Sequence, residues 1–416
     1  MHQPTGKYRW TVVALLFFAT TINYLDRQVI FSLFPLLRTE LSLSDVQLGL
    51  LGTAFLWVYA FASPIAGYLG DRFNRKYIVG FSLAIWSAVT WMTAYARNFT
   101  ELVIARGLMG ISEACYLPAG LALIADYHGP ATRSRATGLH YTGGYIGMVL
   151  GGFSGGYFGQ RYGWRPVFVV LGVVGLTYTV WLLSVMRTPE RSREDEREPV
   201  APAASVGFSE SMRELLRAPG YLTMTAVFTI VGICNWMVYT WMPMYLFERF
   251  HLSLGQSGFA ATFYLQAGSL SGTALGGWLA DRWSRENPRG RQLTQAAGLL
   301  AAAPFLFLTG VARTPVILFV GLTVFGLGRG FYDCNVMPVL CLVARPALRS
   351  SGFGIFNCIS CIAGGLIAVG AGALKSTIGL GGALAGTGVL LFVSALLLFR
   401  LRVVGTEAVG RGVSVG

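Results

Sequence analysis

Charge is the scarcest ingredient of this chain. Charged residues fill 12% of its 416 positions, against about a quarter in soluble domains. A soluble enzyme of this length would cut its apolar runs to strand or short-helix length. Here residues 167–186 give 20 positions without a charge, enough to cross about 30 Å of hydrocarbon. A large soluble enzyme is thereby excluded. Histidine is sparse as well. His2, His128, His140 and His251 are too dispersed for a metal cluster, and no metal or other cofactor is expected. No phosphate loop of the Gly-x-x-x-x-Gly-Lys-Ser/Thr type occurs, which argues against direct driving by ATP. The six cysteines (Cys115, Cys234, Cys334, Cys341, Cys358 and Cys361) lie in apolar stretches; Cys358 and Cys361 are three apart, a helix-face spacing, and no partner His or Cys in a loop suggests a metal site. They read as small buried hydrophobes. No enzyme motif survives inspection, so no catalytic residue is expected.

What the chain does contain is a succession of apolar segments. Hydropathy and turn residues divide it into twelve spans, near 9–37, 44–70, 77–96, 100–127, 135–159, 166–186, 220–247, 256–280, 293–311, 315–343, 351–373 and 380–400. Net charge is +13, but its placement argues against nucleic acid. With the N-terminus in the cytoplasm, 22 of the 32 Lys and Arg fall in inside segments, 7 outside and 3 within spans. That asymmetry predicts both termini in the cytoplasm, with basic loops facing anionic lipid. The first apolar run shows no small-residue cleavage site and is expected to act as signal and anchor together. An integral plasma-membrane protein follows, with a bacterial inner membrane and a monomer as the expectation.

The polar stretch 187–219 separates six spans from six. It predicts a cytoplasmic linker between an N-terminal bundle, 1–186, and a C-terminal one, 220–416, with a short surface helix over 210–217. The halves repeat. Gly67-Tyr-Leu-Gly-Asp71-Arg72-Phe-Asn-Arg75-Lys76 ends span 2, and Gly277-Trp-Leu-Ala-Asp281-Arg282-Trp-Ser-Arg285-Glu286 ends span 8. Glu113 and Pro118 in span 4 match Asp333 and Pro338 in span 10, offset by 220 residues. Duplicated six-helix units are the mark of a transporter whose halves rock about a central site. Glycines at helical spacing in span 5 (Gly143, Gly147, Gly151, Gly155) predict close helix contact.

Six ionisable residues interrupt the apolar spans: Asp26, Arg27, Arg106, Glu113, Arg329 and Asp333. An unpaired charge at mid-membrane costs about 2.5–3.5 kcal/mol on insertion scales. Such residues face an interior cavity, pair with one another, and handle protons or a charged solute. Arg106 and Glu113 are seven apart and share one face of span 4. Asp26, Glu113 and Arg106 are the candidate proton site, the alternative being a static Arg–Glu lock. Arg27 suits a carboxylate or phosphate through paired hydrogen bonds, or else pairs with an internal acid. Arg329 and Asp333, spaced i, i+4, either neutralise each other or bind solute.

The mid-span aromatics and amides are Tyr24, Trp57, Tyr59, Tyr116, Tyr145, Asn235, Trp236, Tyr239, Gln266, Asn335 and Asn357. Together they predict a polar cavity and a small hydrophilic substrate. Tyr59, Tyr116, Tyr145, Asn235, Gln266, Asn335 and Asn357 join Arg27, Arg329 and Asp333 as substrate-binding candidates.

The 67–76 motif resembles the loop signature of the major facilitator superfamily, and the resemblance covers nearly the whole chain. It implies an all-α membrane fold of twelve transmembrane helices in two pseudo-symmetric six-helix bundles. It also implies a gate in which Gly67, Asp71, Arg72 and Arg75, with Asp281 and Arg282 in the second copy, latch one state. Asp126 is a further partner for that latch. Two subfamilies look close. Asn23-Tyr-Leu-Asp26-Arg27 resembles the signature of anion:cation symporters, which take up sugar acids with protons. Arg106-Gly-Leu-Met-Gly-Ile-Ser-Glu113-Ala-Cys-Tyr116 is similar to both that group and the Spinster-type transporters, which move lysolipids and sphingoid phosphates. The resemblance implies proton-coupled symport of a small organic anion, with lysolipid transport as the alternative.

Overall fold

In a computed structural model of the chain, residues 6–128, 130–187, 208–344 and 348–401 are described; the side chains of 6–7, 67–72, 130–131, 133–134, 208–211 and 350 lie outside that description. Among the described residues every regular element is a helix. In chain order these are α1 (Gly6–Ser32), α2 (Phe34–Glu40), α3 (Asp45–Arg72), α4 (Arg75–Thr93), α5 (Phe99–Tyr127), α6 (Pro130–Tyr162) and α7 (Trp164–Val185). There follow α8 (Phe208–Arg217), α9 (Tyr221–Phe250), α10 (Leu254–Glu286), α11 (Gly290–Val311), α12 (Pro315–Asp333), α13 (Val336–Val343) and α14 (Arg349–Arg400).

Three departures from the predicted spans have local causes. The first span stops at Ser32 instead of 37. Leu33 N donates to Ile30 O at 3.1 Å in a tight turn, and Pro35 opens α2, where its missing N–H is harmless. The tenth span is two helices. Asn335 Nδ2 takes the Phe331 carbonyl at 3.0 Å, the acceptor its own backbone N–H would use in a continuous helix. That N–H turns to Tyr332 O at 3.0 Å instead. The last two spans run together as α14, whose 52 residues would measure about 78 Å at helical rise. Gly379, at φ 68° and ψ 165°, breaks it; a side chain there would be strained. The predicted surface helix is α8, and the linker before it lies outside the described residues.

Contacts divide the chain into two compact units: 1–189 with 236–263 and 364–380, and 190–235 with 264–363 and 381–416. In the first, α1 lies along α6, α3 along α5, and α4 against α5 and α7. The α1–α6 seam explains the glycine spacing. A β-carbon on Gly143 or Gly155 would stand 2.5 or 2.7 Å from the Phe17 or Val29 carbonyl oxygen. Gly147 and Gly151 meet Thr21 and Leu25 in the same way, so the helices touch backbone to backbone. In the second unit α11 lies along α12, and Gly268 and Gly272 of α10 abut the carbonyls of Thr323 and Leu327 on α12.

Candidate functional site

The site grows from one face of α1. Thr20, Asn23 and Arg27 recur at helical spacing, so they point toward α5 together. Arg27 Nε and Nη2 both donate to Glu113 Oε2, at 3.0 and 2.6 Å. The two side chains are 11% and 0% exposed. Asn23 Oδ1 accepts a longer bond from Arg27 Nη2 at 3.5 Å. The guanidinium carbon sits 4.9 Å from the Tyr24 ring centre, 4.7 Å from Phe55 and 5.2 Å from Tyr59. Aromatic faces attract a desolvated cation, so the three rings compensate part of the hydration Arg27 has lost.

Arg106 occupies the other side of Phe55, 4.6 Å from its centre. Its Nε donates to Leu51 O at 3.3 Å and its Nη1 contacts Met109 Sδ at 3.3 Å. Its Nη2 is buried without a partner among the described residues. A static Arg106–Glu113 lock is therefore not the arrangement present. Seven residues of α5 separate them by about 10.5 Å of helix rise, and Arg27 reaches Glu113 from the side. Phe55, between two guanidiniums, was not flagged by the sequence; one more Phe in an apolar run carries no signal there. Gly110 on α5 admits α3 at this level, since a β-carbon would stand 2.7 Å from Phe55 O.

Asp26 turns a different way from Arg27, as neighbours about 100° apart must. It is 1% exposed and accepts from Thr90 Oγ1 of α4 at 3.4 Å. Its Oδ1 has no partner among the described residues. Tyr59 stacks on Phe55 with centroids 5.9 Å apart. Tyr116, a substrate-binding candidate by sequence, is instead part of the packed interior. Its hydroxyl donates to Leu16 O at 2.8 Å and meets Thr20 Oγ1 at 2.7 Å, while His140 Nδ1 lies 3.0 Å from the same Thr20 oxygen. Tyr145 is half-buried on α6.

In the second unit Arg329 Nε donates to Asp333 Oδ2 at 2.9 Å, one helical turn away, so the two side chains neutralise each other in this state, one of the two alternatives their spacing left open. Asn335 serves the helix break and accepts from Arg291 Nη1 at 3.5 Å. Its amide is thus committed to the protein. Gln266 is buried on α10, Asn235 is half-buried on α9, and Asn357 Oδ1 receives Cys361 Sγ at 3.9 Å.

Of the gating residues, the side chains of Gly67, Asp71 and Arg72 lie outside the described residues. Arg75 Nη1 binds Asp126 Oδ1 at 2.5 Å, joining the start of α4 to the end of α5. Asp281 receives Arg291 Nη2 at 2.6 Å, and Arg282 is exposed beside it.

A second charged assembly was not foreseen. Arg38 of α2 lies 2.8 Å from Glu248 and 3.6 Å from Asp45. Lys375 lies 2.8 Å from Glu248 and 3.1 Å from Asp45. All four belong to the first unit, at the ends of helices far from the linker. Neutral contacts join the same unit. Gln28 Nε2 donates to Tyr239 O at 3.2 Å, Thr53 Oγ1 to Gly365 O at 2.7 Å and Trp241 Nε1 to Ala368 O at 2.9 Å. Gly152 and Gly258 touch directly. The linker-distal ends of α9, α10 and α14 are thereby packed onto α1, α3 and α6.

The profile of the Major Facilitator Superfamily matches residues 16–369. The chain belongs to the major facilitator superfamily. It is an all-α, multi-pass membrane transporter with that superfamily's twelve-helix architecture. Among its relatives is protein spinster homolog 1 of Xenopus laevis, 30% identical over 360 residues, covering 82% of this chain and 68% of the relative. The human protein spinster homolog 1 is 29% identical over 362 residues, with the same coverage. A probable chloroplastic anion transporter of Oryza sativa is 28% identical over 324 residues, covering 74% and 54%. A crystal structure of a bacterial homolog of the human lysosomal transporter Spinster, inward-facing and unoccupied, superposes with a TM-score of 0.82 at 23% identity, covering 96% of this chain and 98% of that one. The resemblance read from the 67–76 motif is thus supported on both sequence and fold.

Proposed function

We propose that this major facilitator protein is a proton-coupled symporter of an organic anion, working by alternating access. The observation that carries the reading is the buried Arg27–Glu113 pair. In this state Glu113 occupies the guanidinium. Protonating Glu113 removes the charge that holds Arg27, and the freed fork can take a solute carboxylate or phosphate bidentately. Proton and anion then bind together, which is the logic of symport. Asp26, buried on the α4 side of α1, is the second proton acceptor. Arg106 supplies fixed positive charge across Phe55.

Tyr59 and Tyr145 in the first half are the proposed solute-facing aromatics. Asn235, Gln266 and Asn357 are the solute-facing amides of the second half, with Arg329 and Asp333 as its charged pair. The bundles 1–186 and 220–416 are the rocking bodies. The Arg75–Asp126 pair belongs to the cytoplasmic latch, and Arg38, Asp45, Glu248 and Lys375 close the outer side. Both termini face the cytoplasm of a bacterial inner membrane, and the working unit is a monomer.

The test is uptake by proteoliposomes loaded at neutral pH and placed in acidic buffer. A radiolabelled sugar acid such as gluconate should accumulate above its external concentration, and a protonophore should abolish the accumulation. Uptake indifferent to the protonophore would refute proton coupling. The Spinster relatives favour a second reading, an amphiphile with an anionic head, such as a lysophospholipid. Thermal stabilisation by lysophosphatidic acid and not by sugar acids would select it.

A further inference from the structure

We propose that the groove between the end of α4 and the start of α7 binds an anionic glycerophospholipid of the surrounding bilayer. The groove is a cavity of about 530 Å³ whose walls include Tyr95, Arg97, Arg165, Val169 and Val170. One side is apolar and continues along α7, where Val170, Val173 and Val174 are exposed at i, i+3, i+4. Trp91 and Met92 of α4 are exposed likewise. On a membrane-embedded chain that face is covered by acyl chains. The other side is cationic, at the level where both helices reach their linker-distal ends and lipid headgroups lie.

Arg97 is not spent on the protein, and Arg165 is spent only in part. The Arg97 guanidinium has no hydrogen-bond or ion-pair partner among the described residues; only its backbone N–H is engaged, donating to Glu101 Oε2 at 2.7 Å. Arg165 Nη1 is paired with Glu40 Oε1 and its Nη2 donates to Ala96 O at 3.1 Å, which fixes the fork; its Nε has no hydrogen-bond partner among the described residues. Neither acid lines the groove. Glu40 is turned to Arg165 and to Trp164 Nε1, at 2.6 Å from the latter. Glu101 is held by the Arg97 N–H and by Asn98 Nδ2 at 2.8 Å. A phosphodiester oxygen pair suits guanidinium donors, and its acyl chain covers the valine wall. A free phosphate would leave that wall bare. A choline headgroup would bring a further cation beside the two arginines.

The experiment uses the full chain, delipidated in dodecyl maltoside, with binding read by native mass spectrometry and by thermal shift. The probes are phosphatidylglycerol, phosphatidylcholine and inorganic phosphate. Phosphatidylglycerol should be retained and should raise Tm, while phosphatidylcholine and phosphate should do neither. Arg97→Gln removes no protein partner and should weaken phosphatidylglycerol binding about fivefold, the loss expected for one basic residue at a lipid surface. Arg97→Lys should keep most of the affinity, and Arg313→Gln, at a different turn, all of it. Equal retention of the two lipids, or an unchanged Arg97→Gln, overturns the proposal. A Tm rise with inorganic phosphate matching that with phosphatidylglycerol also overturns it, because the ligand is then a free anion.

Discussion

Glu113 and Asp333 stand at matching places in the two halves, each five residues before a proline, yet their settings differ. Glu113 is fully buried and its partner comes from another helix. Asp333 is 32% exposed and pairs with Arg329 one turn back on its own helix. The helices differ too. α5 continues through Pro118, whereas the span holding Pro338 breaks into α12 and α13. Proline alone does not explain the break, since both spans have one. The difference lies three residues upstream, where Asn335 stands against Cys115. Asn335 captures a carbonyl of its own helix; the Cys115 thiol makes only a weak contact to Ile111 O at 3.9 Å. The repeat places an acid at the matching point of both halves, a glutamate in one and an aspartate in the other. Burial and cross-helix pairing make the first a group whose protonation alters the bonding between two helices.

The comparison breaks most visibly in stability. Glu113→Ala leaves Arg27 buried without its acid and should cost about 3–5 kcal/mol. Asp333→Ala, at a partly exposed pair whose arginine lies one turn back on the same helix, should cost clearly less. Thermal melts of the two purified variants measure this, and equal losses would erase the distinction drawn between the halves. Arg27→Lys comes next. It replaces a fork with a point charge and should weaken solute binding about tenfold, the worth of one charged hydrogen bond, while Arg329→Lys should change it less than twofold. Titration calorimetry with the transported solute separates these outcomes.

A smaller effect sharpens the backbone contrast. Asn335→Cys copies the first half and should restore the bond to Phe331 O, slowing amide exchange at 334–336 and costing about 1 kcal/mol in lost side-chain bonding. Unchanged exchange there would mean that Asn335 does not cause the break. Smallest of all is Lys375→Gln. It removes one of four charges in the distal cluster, worth less than about 1 kcal/mol at that exposure, and its mark should be kinetic. A spin-label pair across that end should report more frequent opening, and an unaltered distance distribution would deny the cluster a closing role.

The fold was legible in the sequence because its signals are local. Apolar run length, the repeat at 67–76 and 277–286, and glycine spacing on α6 each need only a few neighbouring residues. The Arg329–Asp333 pair was readable for the same reason. What was not readable depends on which helices become neighbours. Arg106 was the nearest guanidinium to Glu113 by sequence, but lateral packing of α1 on α5 brought Arg27 instead. Phe55 became the spacer between two cations only through the contact at Gly110. Arg38, Asp45, Glu248 and Lys375 are scattered over more than three hundred positions and carry no shared pattern. The break before Pro338 was missed because Pro118 sets an equivalent precedent, and the deciding residue was a single amide.

One measurement bears most directly on the central claim that Glu113 couples proton and solute through Arg27. Glu113→Gln keeps size and hydrogen-bonding capacity but cannot titrate. Proteoliposomes carrying it should be assayed side by side for pH-driven accumulation and for exchange of labelled against unlabelled solute at equal pH. Accumulation should be lost while exchange persists, because exchange need not release a proton. Full pH-driven accumulation by Glu113→Gln would contradict it, leaving the Arg27–Glu113 pair a structural brace and moving the proton to Asp26 or Asp333.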